Sequence, residues 1–129
     1  MRVLIDAHAL LWWASSRGSN LTVRARDVLA DASTDVLVGA GVLYEIAIKA
    51  RVGRLELPGP PAVYLPRLLR RHAFGVLPVG DVHALRAAAL PLIHRDPWDR
   101  LLIAQSQSEG MPIVTADPAI GQYDVDVIW

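Results

Sequence analysis

The sequence predicts a single α/β domain built on a five-stranded parallel sheet. Short apolar runs alternate with stretches of helical periodicity along all 129 residues, and no two-residue hairpin turn joins any two of these runs. Such runs are typical of strands that are covered on both faces. They lie at residues 3–5, 36–38, 74–79, 112–115 and 125–128. We therefore expect a three-layer α/β/α sandwich that spans residues 1–129 as one domain.

Composition narrows the class of protein. Hydrophobic residues make up 53% of the chain, which favours one compact core over a disordered chain. Cysteine is absent, which excludes disulfides and thiolate zinc sites. The 13 basic and 13 acidic residues cancel, so any nucleic-acid-binding surface must be local. Because no apolar run approaches the roughly 18 residues of a membrane span and no signal-peptide pattern opens the chain, we expect a cytoplasmic protein with no membrane contact.

The first half of the chain contains three predicted helices. Residues 7–13 follow the first strand directly, and a loop rich in turn-forming residues is predicted at 15–20. Thr22 is the expected N-cap of the second helix, with its apolar residues Val23, Val28 and Leu29 facing inward. The third helix, from about residue 40 to 52, is apolar almost all round, which predicts a buried helix.

The second half of the chain contains three more predicted helices. Helical spacing continues over residues 62–73, but Pro66 lacks the N–H group that a helix interior needs, so a break is expected there. Asp81 is the expected cap of a helix over residues 82–90. Asp96 followed by Pro97 predicts the start of the last helix, which ends at Gly110.

Four acidic residues stand at positions that a parallel sheet would bring together. Asp6 and Asp117 directly follow the first and fourth predicted strands, and Glu45 and Asp99 lie in the first turns of helices that begin on the same side. Each also has a purely structural interpretation. Asp6, Asp99 and Asp117 could cap helices or turns, and Glu45 could pair with Lys49 one turn later.

Taken together, the four acids favour a metal site. Ligand chemistry in open α/β sheets gathers at the carboxyl ends of the strands. Carboxylates that share such a site repel one another unless a cation lies between them. Mg²⁺, or alternatively Mn²⁺, prefers carboxylate and water oxygens and can activate a water and stabilise the charge on a phosphodiester.

Four segments in order along the chain resemble the PIN-domain ribonucleases, and among them the VapC-type toxins of bacterial type II toxin–antitoxin pairs. These segments are RVLIDAHALLWW, LYEIAIKARVGRLELPG, HRDPWDRLLIAQ and IVTADPAI. The resemblance implies a PIN-like fold and a Mg²⁺-dependent endoribonuclease that hydrolyses RNA. It also implies a homodimer and an inhibiting antitoxin whose tail covers the acids. The acidic quartet of the family falls on Asp6, Glu45, Asp99 and Asp117.

The chain departs from the family pattern at three positions. Ala7 stands where a hydroxyl residue commonly follows the first acid, and Gly39 and Val42 replace hydroxyls often found before the second acid. Thr115 keeps the hydroxyl near the fourth acid. Since such hydroxyls orient the acids or bound water, their loss bears on the efficiency of the reaction.

Roles for the remaining polar and aromatic residues are assigned as hypotheses. In our mechanism Asp6 and Asp99 bind the principal ion directly, while Glu45 and Asp117 complete the shell through water or bind a second ion. His8 and His94 are interpreted as structural. The four tryptophans are assigned to the core or to a dimer contact rather than to base stacking. Seven cations are candidates to hold RNA phosphates: Arg24, Arg26, Lys49, Arg51, Arg54, Arg95 and Arg100, of which Lys49, Arg51, Arg95 and Arg100 are preferred.

Two alternatives remain open from the sequence. A receiver-like phosphoacceptor domain has a similar length and layering, but it would need an acidic pair after the first strand and a lysine after the last, and neither is present. A catalytically silent PIN fold that binds RNA or an antitoxin is supported only by the missing hydroxyls.

Overall fold

The computed structural model describes residues 1–15 and 20–129, so the middle of the predicted loop at 15–20 lies outside the described residues. The strands are Arg2–Ile5 (β1), Asp35–Gly39 (β2), Gly75–Leu77 (β3), Ile113–Val114 (β4) and Val127–Ile128 (β5). The helices are Ala7–Ala14 (α1), Val23–Ala30 (α2), Ala40–Arg51 (α3), Pro61–His72 (α4), Asp81–Ala89 (α5) and Pro97–Glu109 (α6). A 3₁₀ turn at Ile120–Gln122 precedes β5.

All five strands pair in parallel, in the order β3-β2-β1-β4-β5, which confirms the predicted fold class. The chain adds strands on one side of β1 until β3 and then adds β4 and β5 on the other side. Right-handed crossovers therefore place helices on opposite faces of the sheet in the two halves, giving three layers. The boundary between β1 and β4 is the point where the strand order reverses, and ligands of such sheets bind at the carboxyl ends beside it.

The core is centred on β1. Val3, Leu4 and Ile5 are fully buried, and Ile5 lies level with Val38 on one neighbouring strand and with Val114 on the other. Burial of each such side chain stabilises the fold by about 1.5–3 kcal/mol. The strand that carries the first acid at its end is thus central both in the sheet and in the core.

Two predicted burial patterns were only partly right. Of the residues expected to face inward on α2, Leu29 is buried, but Val23 is 70% exposed and Ala25 is buried in its place. The third helix is not buried all round, since α3 exposes the side chains of Tyr44 and Ile48 on one face. Helix α3 therefore presents an apolar face to solvent.

Pro66 and Asp81 also differ from their predictions. Helix α4 continues through Pro66, because Pro66 is on the exposed side while Leu65, Leu68 and Leu69 anchor the helix in the core. Asp81 is the first residue of α5 rather than its cap, which is Gly80. Within the described residues, no helix is both long enough and apolar enough to cross a membrane.

Candidate metal site

Asp6 is both a helix cap and a member of the acid group. One carboxylate oxygen, Oδ1, accepts a hydrogen bond from the backbone N–H of Ala9 at 2.8 Å, which caps α1 as the structural interpretation predicted. The other oxygen, Oδ2, accepts from the hydroxyl of Thr115. Asp6 is only 5% exposed, and this burial raises the pKa of its carboxyl group above the ordinary value. Asp6 can therefore cap α1 and belong to the acid group at the same time.

Thr115 connects the first and fourth acids. Its Oγ1 donates to Asp6 and accepts from the backbone N–H of Asp117 at 3.0 Å. Asp117 in turn closes a tight turn, because its Oδ1 accepts from the N–H of Ala119 at 2.9 Å. The second oxygen of Asp117, Oδ2, faces the acid group instead of the turn. The one hydroxyl that the sequence retains thus fixes the relative positions of two acids that are 111 residues apart.

Asp99 occupies the first turn of α6, where the sequence placed it. Asp96 caps this helix, with its Oδ1 accepting from the N–H of Trp98 at 2.9 Å, so the capping task does not fall on Asp99. Burial, reinforced by the negative charges of Asp96 and Glu45, raises the pKa of Asp99 to about 7. A cation close to this carboxyl group would stabilise its ionised form.

His94 joins Asp99 to Asp117. Its Nε2 lies 2.9 Å from Oδ2 of Asp99 and 3.0 Å from Oδ2 of Asp117. Among the described residues, these three side chains form the group whose ligand atoms lie close enough together to hold one metal ion, all within 4.8 Å of one another. From the sequence His94 is interpreted as structural, and this contact with two acids is not predicted. The available signal was its position five residues before Asp99, at the entrance to α6.

Glu45 lies near this group without entering it. Its carboxylate is buried and forms an ion pair with Lys49 at 2.8 Å, in the i, i+4 geometry that the structural interpretation predicted. Its charge still contributes to the raised pKa of Asp99. We refer to Asp6, Glu45, Asp99 and Asp117 together as the acid edge.

The structure corrects the role proposed for Arg100. Its guanidinium is buried and donates to the backbone carbonyl oxygens of Ala87 at 2.8 Å and Leu90 at 2.9 Å. It donates further to the carbonyl oxygens of Pro91 and His94. Arg100 therefore joins the end of α5 to the loop before α6, and its donors are not available to RNA phosphates.

The other candidate cations lie on the surface. Lys49 and Arg95 line one open groove of about 760 Å³ together with Arg54. Arg51 is exposed and lines a different groove, between α3 and α4. Arg24 and Arg26 are exposed residues of α2.

The absence of a hydroxyl at Gly39 has a steric cause. Gly39 is the N-cap of α3, and a Cβ atom at this position would overlap Oε1 of Gln105. The side-chain amide of Gln105 is fixed there, because its Nε2 donates to the backbone carbonyl oxygens of Leu77 and Pro78 at 3.2 Å. In this chain Gln105 occupies the space that a hydroxyl residue would need.

The fold and the site together define a PIN domain. The family model described as PIN domain matches residues 3–126, and the chain therefore belongs to that family. This membership removes the receiver-like alternative.

Individual relatives agree with that assignment. The ribonuclease VapC16 of Mycobacterium tuberculosis is 34% identical to this chain over 64 residues, which make up 50% of this chain and 45% of that protein. The match thus spans less than half of this curated relative.

Solved structures agree on the fold. A chain in the crystal structure of VapBC2 from Rickettsia felis bound to a promoter DNA fragment superposes with a TM-score of 0.68 at 13% identity, covering 98% of this chain and 97% of that one. A chain of FitAcB from Neisseria gonorrhoeae superposes with a TM-score of 0.61 at 17% identity, covering 98% and 96%.

Proposed function

We propose that this protein is a divalent-metal-dependent endoribonuclease and the toxin of a type II toxin–antitoxin pair. One observation carries the proposal: at the reversal point of the parallel sheet, ligand atoms of His94, Asp99 and Asp117 lie within 4.8 Å of one another, and the pKa of Asp99 is raised to about 7. Membership of the PIN family and the similarity to a ribonuclease support it.

The donor set fits a hard divalent cation. Mg²⁺ and Mn²⁺ take oxygen ligands in near-octahedral geometry, and the acid edge offers carboxylates without thiolates. We propose that Asp99 and Asp117 hold the ion directly. Asp6, which is occupied by its bonds to Ala9 and Thr115, would act through its negative charge or through water. This differs from our initial assignment, which paired Asp6 with Asp99.

When bound, the ion would lower the pKa of a water and stabilise charge on the scissile phosphate. Hydrolysis adds the oxygen of this water to phosphorus and breaks one P–O bond, and the departing ribose oxygen takes up a proton. The products are one phosphate monoester and one hydroxyl group. The residues of the chain supply the geometry: Thr115 orients Asp6, and the ion pair with Lys49 orients Glu45.

The groove beside the acid edge is the proposed path of the RNA backbone. Lys49, Arg54 and Arg95 line it, with Trp98 at its wall. Positive side chains spaced along a groove neutralise successive phosphates in a way that does not depend on base sequence. The indole of Trp98 packs on the exposed ring of Tyr44, with 4.7 Å between ring centroids.

An antitoxin and a second copy of the chain are the proposed partners. Two of the structural neighbours are toxin–antitoxin assemblies. An apolar groove of about 990 Å³ between α3 and α4 is where we place an amphipathic helix of the antitoxin. An Ala47→Arg variant should keep nuclease activity and resist an antitoxin that neutralises the wild type. Light scattering of the purified protein tests the predicted homodimer.

RNA cleavage by the purified protein tests the proposed activity. We expect a labelled RNA of mixed sequence to be cut with Mg²⁺ or Mn²⁺ and left intact with EDTA. Asp99→Asn and Asp117→Asn should abolish cutting, while Asp126→Asn, an exposed acid near β5, should cut normally. A folded wild type that never cuts RNA would contradict the proposal and leave the silent PIN module as the better description.

A further inference from the structure

Trp98 differs from the other tryptophans in what it packs against. Trp12, Trp13 and Trp129 are partly buried and pack against the hydrophobic core. Trp98 packs instead on the exposed ring of Tyr44 on α3, with 4.7 Å between the ring centroids, and it lines the open groove of about 760 Å³. The core therefore accounts for three tryptophans, and the position of Trp98 calls for another explanation.

Exposed apolar side chains of α3 continue the surface that Trp98 begins. Tyr44, Ile48 and Val52 are spaced four residues apart, so they lie along one face of the helix and its C-cap. All three are exposed, and their exposure contributes nothing to the hydrophobic stabilisation of the fold. Ile48 and Val52 line the same groove as Trp98. We refer to Trp98, Ile48 and Val52 together as the apolar strip.

Positive side chains border the apolar strip. Lys49, Arg54 and Arg95 line the groove with it. Lys49 is paired with Glu45, but within the described part of the chain neither Arg54 nor Arg95 forms an ion pair. Asp96 also lines the groove, and one of its oxygens caps α6. A groove that combines positive charge with exposed apolar surface is complementary to a strand in which phosphates alternate with the flat faces of bases.

The apolar strip lies directly beside the acid edge. Trp98 immediately precedes Asp99 in the first turn of α6, and Lys49, which follows Ile48, pairs with Glu45. Neighbouring helical residues point about 100° apart, which places the indole next to the acid edge and not within it. A nucleotide on the strip is thus close to the phosphate that the acid edge is proposed to cleave.

We propose that the apolar strip is a nucleobase-binding subsite, in which the indole of Trp98 stacks on an unpaired base next to the cleaved bond. Tyr44 holds the indole in position, and the cations of the groove bind the neighbouring phosphates. Every base has a flat face on which an aromatic ring can stack, so this contact adds affinity without selecting a sequence. It replaces the sequence-based assignment of Trp98 to the core or to a dimer contact. The inference rests on the proposed activity on RNA.

Binding to RNA with and without its bases tests the subsite. A labelled RNA of mixed sequence is compared with a strand of equal length whose riboses carry no bases, which keeps every phosphate. Fluorescence anisotropy in EDTA gives both dissociation constants without cleavage. The wild type should bind the intact RNA at least about tenfold more tightly. Trp98→Leu should lose about tenfold in affinity for the intact RNA and nothing for the base-free strand, while Trp98→Phe should stay near the wild type.

Two exposed valines provide a matched control. Val52 of the apolar strip and Val82 of α5 are exposed to a similar extent, 61% and 58%. Val52→Ser removes apolar surface from the strip and should weaken binding of the intact RNA about threefold. Val82→Ser makes the same change on α5 and should leave binding unchanged. Because both residues lie on the surface, this pair keeps the test valid if Trp98→Leu does not fold.

Other outcomes overturn the inference in distinguishable ways. Equal binding of the two strands by the wild type would show that no base is held, and an equal loss for both strands in Trp98→Leu would make the role of the indole structural. Unchanged RNA binding together with loss of the homodimer in light scattering would return Trp98 to a dimer contact. A wild type that binds RNA bases through Trp98 but never cuts RNA would contradict the proposed nuclease and keep the subsite. One that neither binds nor cuts RNA would contradict both.

Discussion

Two histidines of this chain form similar contacts in two different regions. His83 accepts from the backbone N–H of Gly80 at its Nδ1, at 2.9 Å, and its Nε2 lies 3.0 Å from Oε1 of Glu109. His94 accepts from the N–H of Asp96 at Nδ1, and its Nε2 faces the carboxylates of Asp99 and Asp117.

The difference lies in the number of carboxylates. One N–H group satisfies the single carboxylate of Glu109, which is on the last residue of α6 and is partly exposed. The pair therefore connects α5 to α6 and needs no other cation. At the acid edge one imidazole nitrogen of His94 faces the carboxylates of both Asp99 and Asp117. The charges of Glu45 and Asp6 also act on Asp99, so negative charge remains in excess. The excess charge makes the second contact a candidate metal site.

The two histidine contacts should differ most in what they contribute to the rate of RNA cleavage. Asp99→Asn removes a proposed metal ligand, and we expect the rate of RNA cleavage to fall at least about 100-fold. Glu109→Gln makes the same chemical change at the other histidine and should leave the rate unchanged. Initial rates in saturating Mg²⁺ measure both. Equal losses in the two variants would show that the two contacts do not differ in function.

The next largest effect should come from the hydroxyl that orients Asp6. Thr115→Val keeps the shape of the side chain but leaves Oδ2 of Asp6 and the N–H of Asp117 without this partner. We expect roughly tenfold slower cleavage at saturating RNA. Thr115→Ser keeps the hydroxyl and should restore most of the rate. If Val and Ser behave alike, Thr115 is not a positioning residue.

The acid edge could be predicted from the sequence to the extent that strand ends determine it. Asp6 and Asp117 follow short apolar runs of the kind typical of buried strands, and parallel pairing brings such strand ends to one edge. The sequence could not predict the contact of His94, because it depends on the path of the loop before α6 and on Tyr123, 29 residues away.

The error at Arg100 was avoidable. Neighbouring residues of an α-helix point about 100° apart, so Asp99 and Arg100 cannot both face the acid edge. The same rule accounts for Val23, which lies beside the inward-facing side of α2 rather than on it. Helix propensity and composition were enough to predict where the helices lie. The direction in which each side chain points could be determined only from the packed structure.

A smaller effect should appear in the pH dependence of stability without metal. The pKa of Asp99 rises from 3.8 to about 7 on folding, so the folded chain holds this proton more tightly than the unfolded chain. The free energy of unfolding should therefore fall as the pH rises from about 4 to about 7. Urea unfolding in EDTA measures this slope. Asp99→Asn should flatten it and Glu109→Gln should not; an equally steep slope in Asp99→Asn would assign the titration to another group.

The smallest effect should separate stability from function at the other histidine. His83→Gln weakens the contact between α5 and Glu109 and the bond to the N–H of Gly80, and a net loss of about 1 kcal/mol in the free energy of unfolding is expected. Cleavage rate should stay at the wild-type level, because His83 contacts no residue of the acid edge. Chemical denaturation and initial rates on the same preparations check both expectations. A His83→Gln variant that unfolds normally but cuts RNA slowly would mean that the α5–α6 contact transmits its effect to Asp99, whose helix also carries Glu109.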